Sequence, residues 1–77
     1  MLAYILINTE TGFTLQVLTA IKNLEKVREA HAVYGVYDLI VEVEAESLKK
    51  LKETFLWKLR RLNNVSATLT MIVIDEP

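Results

Sequence analysis

The 77-residue sequence contains no cysteine, a single histidine, a single proline and only two glycines. Without cysteine the chain forms no disulfide, iron–sulfur cluster or thiolate zinc site, and it has no cysteine nucleophile. The lone histidine, His31, excludes a metal site made of several histidines from one chain. So little glycine and proline also excludes a low-complexity linker. We therefore expect one domain over residues 1–77, with no metal and no cofactor.

The sequence also lacks an excess of charge of either sign. Nine Lys and Arg stand against ten Asp and Glu, which gives a net charge of −1. Nucleic-acid binders usually carry a strong basic excess, because neutralising phosphates supplies much of their affinity. We therefore expect no direct DNA binding by this chain. Its apolar runs are far shorter than the ~20 residues that cross a bilayer, so we expect no membrane contact. The absence of cysteine is compatible with a reducing cytoplasm, where we expect the protein to be located.

What the sequence has in excess is apolar surface. Apolar residues make up 52% of the chain, and the mean hydropathy is +0.26. A domain of this size buries only ~60% of the surface that its unfolded chain exposes. The surplus predicts an interface buried between subunits, which would also supply the stability that disulfides provide in other small domains.

The spacing of apolar residues predicts the element order β-α-β-β-α-β. We expect strands at 2–7, 27–34, 39–45 and 65–74, and helices at 13–26 and 47–62, with Thr14 and Ser47 as N-caps. This order is that of the ferredoxin-like split-βαβ unit, an α+β fold. Right-handed crossovers then place both helices on one face of a four-stranded antiparallel sheet. The apolar stripe of the second helix is expected to contain Leu48, Leu51, Phe55, Leu59 and Leu62.

Such a fold leaves the other face of the sheet uncovered, and the simplest cover is a second copy packed sheet against sheet. Trp57 lies about 160° from the centre of the second helix's stripe. It is therefore either an interface anchor or a ring lying over its neighbours' aliphatic stems. The residues expected at interfaces are Tyr4, Leu6, Ile40, Ile72 and Ile74 on the sheet and Trp57 on the helix.

Residues 34–38 connect the second and third strands and are the most informative segment. A turn former at Gly35 and a capping carboxylate at Asp38 explain the segment as an ordinary hairpin connection. Two tyrosines around a glycine, beside a carboxylate, also suit a small ligand that bears an ammonium group. Thr68 and Thr70 share one face of the last strand, as strand formers or as hydroxyls aimed into an intersubunit pocket.

Two further groups have an ordinary and a chemical interpretation. His31 and Glu29 lie on the same side of the second strand and could do acid–base work, but no nucleophile accompanies them. The second helix, counted with Glu46, carries a local charge of +4. It is either a solvated amphipathic helix or a surface for acidic partners or phosphate.

Four segments resemble the effector-binding domain of the Lrp/AsnC transcription regulators, which is called RAM for regulation of amino-acid metabolism. They are residues 1–7 (MLAYILI), 27–30 (VREA), 34–43 (YGVYDLIVEV) and 68–71 (TLTM). The likeness covers essentially the whole chain. The family usually carries an N-terminal helix-turn-helix domain, whereas this sequence starts at the first strand, so it resembles the stand-alone form of the domain.

The resemblance implies sheet-to-sheet dimers that assemble into rings such as octamers, with amino-acid effectors bound at the seam between dimers. It implies a module that senses a small amino acid and modulates Lrp/AsnC regulators, for example by co-assembling with full-length relatives. It implies no catalytic activity. The effector-binding residues carried over are Gly35, Tyr37, Asp38, Thr68 and Thr70, with Val33 and Tyr34 as further candidates.

Two other functions stay open on the sequence. A small dimeric α/β-barrel enzyme shares the fold and would place its active site between sheet and helices, using His31 or a tyrosine. Few ionisable residues are predicted there, which argues against it. A purely structural oligomeriser would form stable rings that ignore every small molecule.

Overall fold

The computed structural model describes residues 1–76, and Pro77 lies outside the described residues. The predicted order of elements is confirmed, with ends that shift by at most four residues. The second helix, α2, covers residues 48–60 and is α-helical at Leu48–Lys50 and Trp57–Arg60 but π-helical at Leu51–Leu56. The other elements are β1 (Leu2–Thr9), α1 (Thr14–Lys22), β2 (Val27–Ala32), β3 (Leu39–Glu44) and β4 (Val65–Ile72).

The four strands form one antiparallel sheet in the order β2-β3-β1-β4. β1 is an inner strand, and its Ile5 lies opposite Val41 of β3 on one side and Thr70 of β4 on the other. Residues directly opposite each other point to the same face of a sheet. The register therefore determines which residues of β3 and β4 share a face with each residue of β1.

One hydrophobic core lies between the sheet and the two helices, which confirms the predicted ferredoxin-like layers. Alternate residues of the sheet point into it, because side chains along a strand alternate between faces. No polar or charged residue is buried within residues 1–76. The buried residues are Ala3, Ile5, Ile7, Ala30, Leu39, Val41 and Val43 of the sheet and Val17, Ile21, Leu51, Phe55, Leu56 and Leu59 of the helices.

The π-helical middle of α2 changes the predicted stripe. The Trp57 N–H donates to the carbonyl of Lys52, five residues back, and this bonding adds a residue to the turn. Phe55 and the adjacent Leu56 consequently both reach the core, being 2% and 6% exposed, whereas Leu48 is 44% exposed. The prediction of Leu48 as a core residue is wrong, because it lies in the first turn of the helix.

Of the two predicted N-caps, Ser47 is confirmed and Thr14 is wrong. Ser47 caps α2 as expected, since its side chain accepts a hydrogen bond from the Lys50 N–H at 3.2 Å. Thr14 is the first residue of α1 and not its N-cap; Phe13 holds that position without a side-chain bond. The Thr14 hydroxyl instead lies 2.8 Å from the hydroxyl of Thr9.

The uncovered face of the sheet exists as predicted, but β4 presents different residues on it. Ile72 lies opposite the buried Ala3, so its assignment to the uncovered face is wrong. Both faces of β4 carry apolar residues, and alternation alone does not show which set points where. Ile74 lies beyond the end of β4 and is 95% exposed. The open sheet face includes Tyr4, Leu6, Glu29, His31, Ile40, Glu42, Ala67, Leu69 and Met71.

The revised stripe of α2 is tested by comparing two leucines. We expect Leu59→Ala to lower the free energy of unfolding by about 2–5 kcal/mol, because it leaves a cavity in the core. We expect Leu48→Ala to cost less than about 1 kcal/mol, because Leu48 is largely exposed. Urea unfolding at one fixed protein concentration measures both. Equal losses from the two substitutions would contradict this packing.

Candidate functional site

Residues 33–38 form a short loop whose two ends are held together. The Val33 N–H donates to the Asp38 carbonyl at 2.9 Å, and the Asp38 N–H donates to the Ile7 carbonyl at 3.0 Å. The second bond ties the loop to the end of β1. Gly35 has φ +155°, a backbone conformation that side chains disfavour, and nothing lies within 4 Å of where its Cβ would be. Glycine is therefore favoured at position 35 by the backbone conformation of the loop, since there is enough space for a side chain.

Asp38 is the polar centre of this region. Its Oδ2 accepts a hydrogen bond from the Thr9 N–H at 2.8 Å and lies 3.3 Å from the Thr9 hydroxyl, which donates to it. Because that hydroxyl has one proton, the Thr14 hydroxyl is then the donor in its 2.8 Å contact with Thr9. One carboxylate oxygen thus joins the β2–β3 loop to the end of β1 and, through Thr9, to the start of α1.

An open cleft of about 450 Å³ lies against this cluster and is lined by Thr14, Ala32, Val33, Tyr34 and Asp38; we call it the loop cleft. It has a polar end, made by Asp38 and Thr14, and an apolar wall, made by Ala32 and Val33. Tyr34 at its rim is fully exposed at 107%. The cleft therefore offers a carboxylate and a hydroxyl beside aliphatic surface, and one of its sides is open to solvent.

The structure brings together only part of the predicted effector site. Val33, Tyr34 and Asp38 line the loop cleft, while Gly35 and the half-buried Tyr37 belong to the same loop. Thr68 lies on β4, opposite Ile7, and Ile7 lies opposite Leu39 on its other side. Two strand spacings, about 10 Å, therefore separate β4 from β3.

Thr68 and Thr70 do share one face, as predicted. That face is the helix-covered one, because Thr68 and Thr70 lie opposite the buried Ile7 and Ile5. Thr68 is nevertheless exposed and Thr70 half-buried, since β4 is an edge strand. Neither lines the loop cleft of its own chain.

Thr9 and Thr14 are site residues that the sequence did not predict, since Thr9 was not singled out and Thr14 was expected only as a helix cap. Both flank the β1–α1 loop, where threonine is common and carries no special signal. Their relation to Asp38 depends on the pairing of β1 with β3, which places the end of β1 beside the start of β3.

The open sheet face carries a polar network on its β2–β3 side. The Tyr4 hydroxyl donates to Glu42 Oε1 at 2.9 Å, and the Arg28 side chain lies 3.5 Å from Glu42 and 3.2 Å from Glu44. The hydrogen bond to Glu42, followed by the negative charge of that carboxylate, raises the pKa of Tyr4. The β1–β4 side of the face is apolar, with Leu69 and Met71 44% and 45% exposed.

His31 lies on this open sheet face, 3.5 Å from Glu29 through its Nε2, and both side chains are largely exposed. It is therefore absent from the layer between sheet and helices, where an α/β-barrel enzyme would place its active site. In the part of the chain that the structure describes, that layer holds no buried polar or charged residue. Across residues 1–76 no group of three or more metal-binding side chains converges, and no helix there is long and apolar enough to cross a membrane.

Comparison with known proteins decides the family. The profile of the Lrp/AsnC ligand-binding domain matches residues 2–77. The chain belongs to the Lrp/AsnC family. It is 33% identical over 95% of its length to an uncharacterised HTH-type transcriptional regulator of Pyrococcus abyssi, and 31% identical over 96% to the HTH-type transcriptional regulator FL11 of the same organism. It covers 51% and 48% of those proteins, so this Lrp/AsnC domain spans about half the length of the curated relatives it matches.

Solved structures agree with this assignment. The crystal structure of FFRP-DM1 has a TM-score of 0.89 and 40% identity, over 95% of this chain and 97% of that one. A hypothetical protein from Pyrococcus horikoshii has a TM-score of 0.88 and 40% identity, over 97% and 90%. A transcriptional regulator from Neisseria meningitidis, solved as a complex with L-Met, has a TM-score of 0.85 over 97% of this chain and 50% of that one; at 16% identity it shows the fold alone.

These findings support a regulatory ligand-binding domain related to transcription regulators. The curated relatives are regulators and not enzymes. A regulatory role agrees with an interior that is apolar and with polar groups that lie in a loop and on an exposed sheet face.

The structural role of Asp38 is tested by two substitutions. Asp38→Ala leaves the Thr9 N–H without its acceptor, and we expect a loss of about 1–3 kcal/mol in the free energy of unfolding. Asp38→Asn keeps a side-chain oxygen that accepts the same bond, so we expect a smaller loss. Urea unfolding measures both, with Asp75→Ala, at an exposed carboxylate, as the matched control. The assignment fails if Asp38→Ala is as harmless as the control.

The network around Tyr4 predicts an alkaline pH dependence. The raised pKa favours the protonated phenol in the folded state, so its contribution to stability is present up to the ordinary value of 10.0 and is lost as the pH rises through the raised pKa. We expect Glu42→Gln to lower the pKa of Tyr4, because it removes the neighbouring charge.

Alkaline titration of tyrosinate absorbance measures this shift, and the Tyr4→Phe spectrum identifies which transition belongs to Tyr4. Glu44→Gln is the control, since Glu44 bonds Arg28 but not Tyr4. An unchanged Tyr4 transition in Glu42→Gln would show that the bond to Glu42 does not persist in solution.

Proposed function

We propose that this Lrp/AsnC domain senses a small amino acid in the loop cleft and that occupancy of the cleft controls its assembly. The observation that carries the proposal is the hydrogen bonding of the Asp38 carboxylate. One oxygen, Oδ2, is held by Thr9, whereas Oδ1 has no hydrogen-bond partner within residues 1–76. A rigidly held carboxylate with one free oxygen, at the polar end of a cleft, suits an ammonium group.

The cleft suits the rest of an amino acid as well. An α-ammonium group bound to Asp38 places an aliphatic side chain against Ala32 and Val33. The α-carboxylate needs donors, which backbone N–H groups near Gly35 and threonine hydroxyls supply. Because Thr68 and Thr70 are separated from the cleft in their own chain, they serve this role only from a second copy.

Exposed apolar surface in two places supports assembly through two interfaces. Tyr34 and Val36 are 107% and 87% exposed in the loop, and Leu69 and Met71 are exposed on the open sheet face. Pairing two open sheet faces gives a dimer, and joining dimers through their loops closes a ring such as an octamer. A ligand at the seam favours the association state that completes its pocket.

This proposal also covers the partners of the domain. The same surfaces allow co-assembly with full-length Lrp/AsnC regulators in the cytoplasm, whose oligomers would then respond to the effector. The L-Met complex of the Neisseria meningitidis regulator makes an amino acid the first ligand class to test. The domain itself would act without catalysis and without contacting DNA.

Titration calorimetry with a panel of amino acids at millimolar concentration tests the effector role. We expect at least one binder, and we expect Asp38→Asn to weaken that binder at least ten-fold, because the neutral amide replaces the carboxylate while retaining an acceptor for Thr9. Asp75→Asn is the control and should bind as the unsubstituted chain does. If no amino acid binds, the effector role is abandoned.

A purely structural oligomeriser is the second candidate, because the bond between Asp38 and Thr9 gives Asp38 a role without any ligand. The two functions differ in one measurement, the mass of the assembly by sedimentation with and without the amino acid that binds. A mass that changes supports sensing. A ring whose mass is indifferent to every amino acid supports the structural role.

A further inference from the structure

The positive charge of the chain is concentrated on α2. Within residues 48–61 lie six of the nine basic residues and only one of the ten acidic residues. All six basic residues are exposed. Outside this segment acidic residues outnumber basic residues. The positive charge of the chain is therefore concentrated in residues 48–61. The six basic residues are Lys49, Lys50, Lys52, Lys58, Arg60 and Arg61.

Trp57 lies on the exposed side of the same helix. It is 56% exposed, and the Arg61 guanidinium lies over its ring, 4.6 Å from the centroid. Arg60 and Arg61 follow Trp57 at i+3 and i+4, the spacing that puts side chains on one side of a helix. The π-helical turn places Lys52 and Glu53 immediately before Trp57 on that side. Lys49, one turn earlier, pairs with Glu53. We define the outer face of α2 as Lys49, Lys52, Glu53, Trp57 and Arg60 together with Arg61, which directly follows the helix.

This outer face is independent of the loop cleft and of the open sheet face. α2 packs on the helix-covered side of the sheet, opposite the open sheet face. None of its residues lines the loop cleft. Pairing of open sheet faces leaves the outer face of α2 uncovered, so a partner docked on α2 does not depend on the proposed effector function.

We propose that the outer face of α2 docks an acidic protein segment that has an apolar residue near its centre. An exposed tryptophan beside arginine is the typical composition of an interaction hot spot. Arginine forks bind carboxylates in a bidentate manner, and the lysines at the other end add charge complementarity. Lys49 and Arg61 lie at opposite ends of α2, about three helical turns apart, which suits a partner helix of about twelve residues with carboxylates at both ends.

Three features favour a protein partner over a nucleic acid. The whole chain has a net charge of −1, so it lacks the basic excess from which nucleic-acid binders gain much of their affinity. Glu53, which lies 3.9 Å from Lys49, interrupts the row of cations that would follow a continuous phosphate backbone, whereas separate carboxylates can still pair with the arginines at the other end of the helix. Arg61 covers one face of the Trp57 ring, which obstructs stacking on a base.

The test uses the full chain and three probes. The first is a synthetic acidic peptide of about twelve residues with Leu-Phe at its centre; the second is its counterpart with Ser-Ser at the centre; the third is a short DNA duplex. Trp57 is the sole tryptophan, so its emission reports burial directly. We expect the Leu-Phe peptide to shift the emission to the blue and to bind at least ten-fold more tightly than the Ser-Ser peptide.

Substitutions then locate the contact. We expect Trp57→Ala and Arg61→Ala each to weaken the binding of the Leu-Phe peptide at least ten-fold, and Arg61→Lys to weaken it less. Fluorescence anisotropy of the labelled peptide measures these affinities. Lys22→Ala, at an exposed basic residue of α1, is the matched control and should bind unchanged. Circular dichroism and thermal melting confirm that each variant is folded. Amino-acid binding in Trp57→Ala should stay as in the unsubstituted chain, which separates this outcome from failure of the effector role.

Four results would overturn the proposal. Binding of the duplex but not the peptide, lost in Arg61→Ala, would assign the face to nucleic acid. A smaller assembly in Trp57→Ala by sedimentation would assign it to a second copy of the chain. Equal binding of the two peptides would reduce it to unspecific charge attraction. No binding of any probe would leave α2 a solvated helix.

Discussion

The pairing of β1 with β3 and β4 is the constraint on which the rest of the structure depends. β1 is an inner strand that pairs with a neighbour on each side, and its Ala3, Ile5 and Ile7 are buried. Burying these three residues under the helices orients both strands that pair with β1. The opposite set, which includes Tyr4 and Leu6, is thereby forced onto the open sheet face.

The same pairing creates the candidate effector site. It places the end of β1 beside the start of β3, so that Asp38 meets Thr9 across the strands. In the proposed function the carboxylate has two roles, one for each oxygen. Oδ2 stabilises the junction of loop, strand and helix, and Oδ1 remains for a ligand. In that proposal, the bonds of Oδ2 hold the loop in place before any ligand arrives, which would lower the entropic cost of binding.

Polar and charged groups are distributed over separate surfaces, since the core accepts none of them. Carboxylates and Tyr4 form a network on the open sheet face, Asp38 and two threonines hold the loop, and the cations are concentrated on α2. Each surface therefore presents a different chemistry to a partner. A small domain with three such surfaces suits a role in which several contacts are made at once.

The sequence by itself was sufficient for the order of elements, the two-layer architecture, the cap at Ser47 and the outward position of Trp57, because these follow from local periodicity and propensity. It was also sufficient for the family, through residues in the loop and the first strand. Three features depended on tertiary contacts. Ile72 faces the helices because β4 is apolar on both sides and only its register with β1 distinguishes them. Leu56 joins the core because a π-helical turn widens the stripe, whereas Leu48 is exposed in the first turn of the helix. Thr9 and Thr14 join Asp38 because strand pairing brings together residues that are distant along the chain.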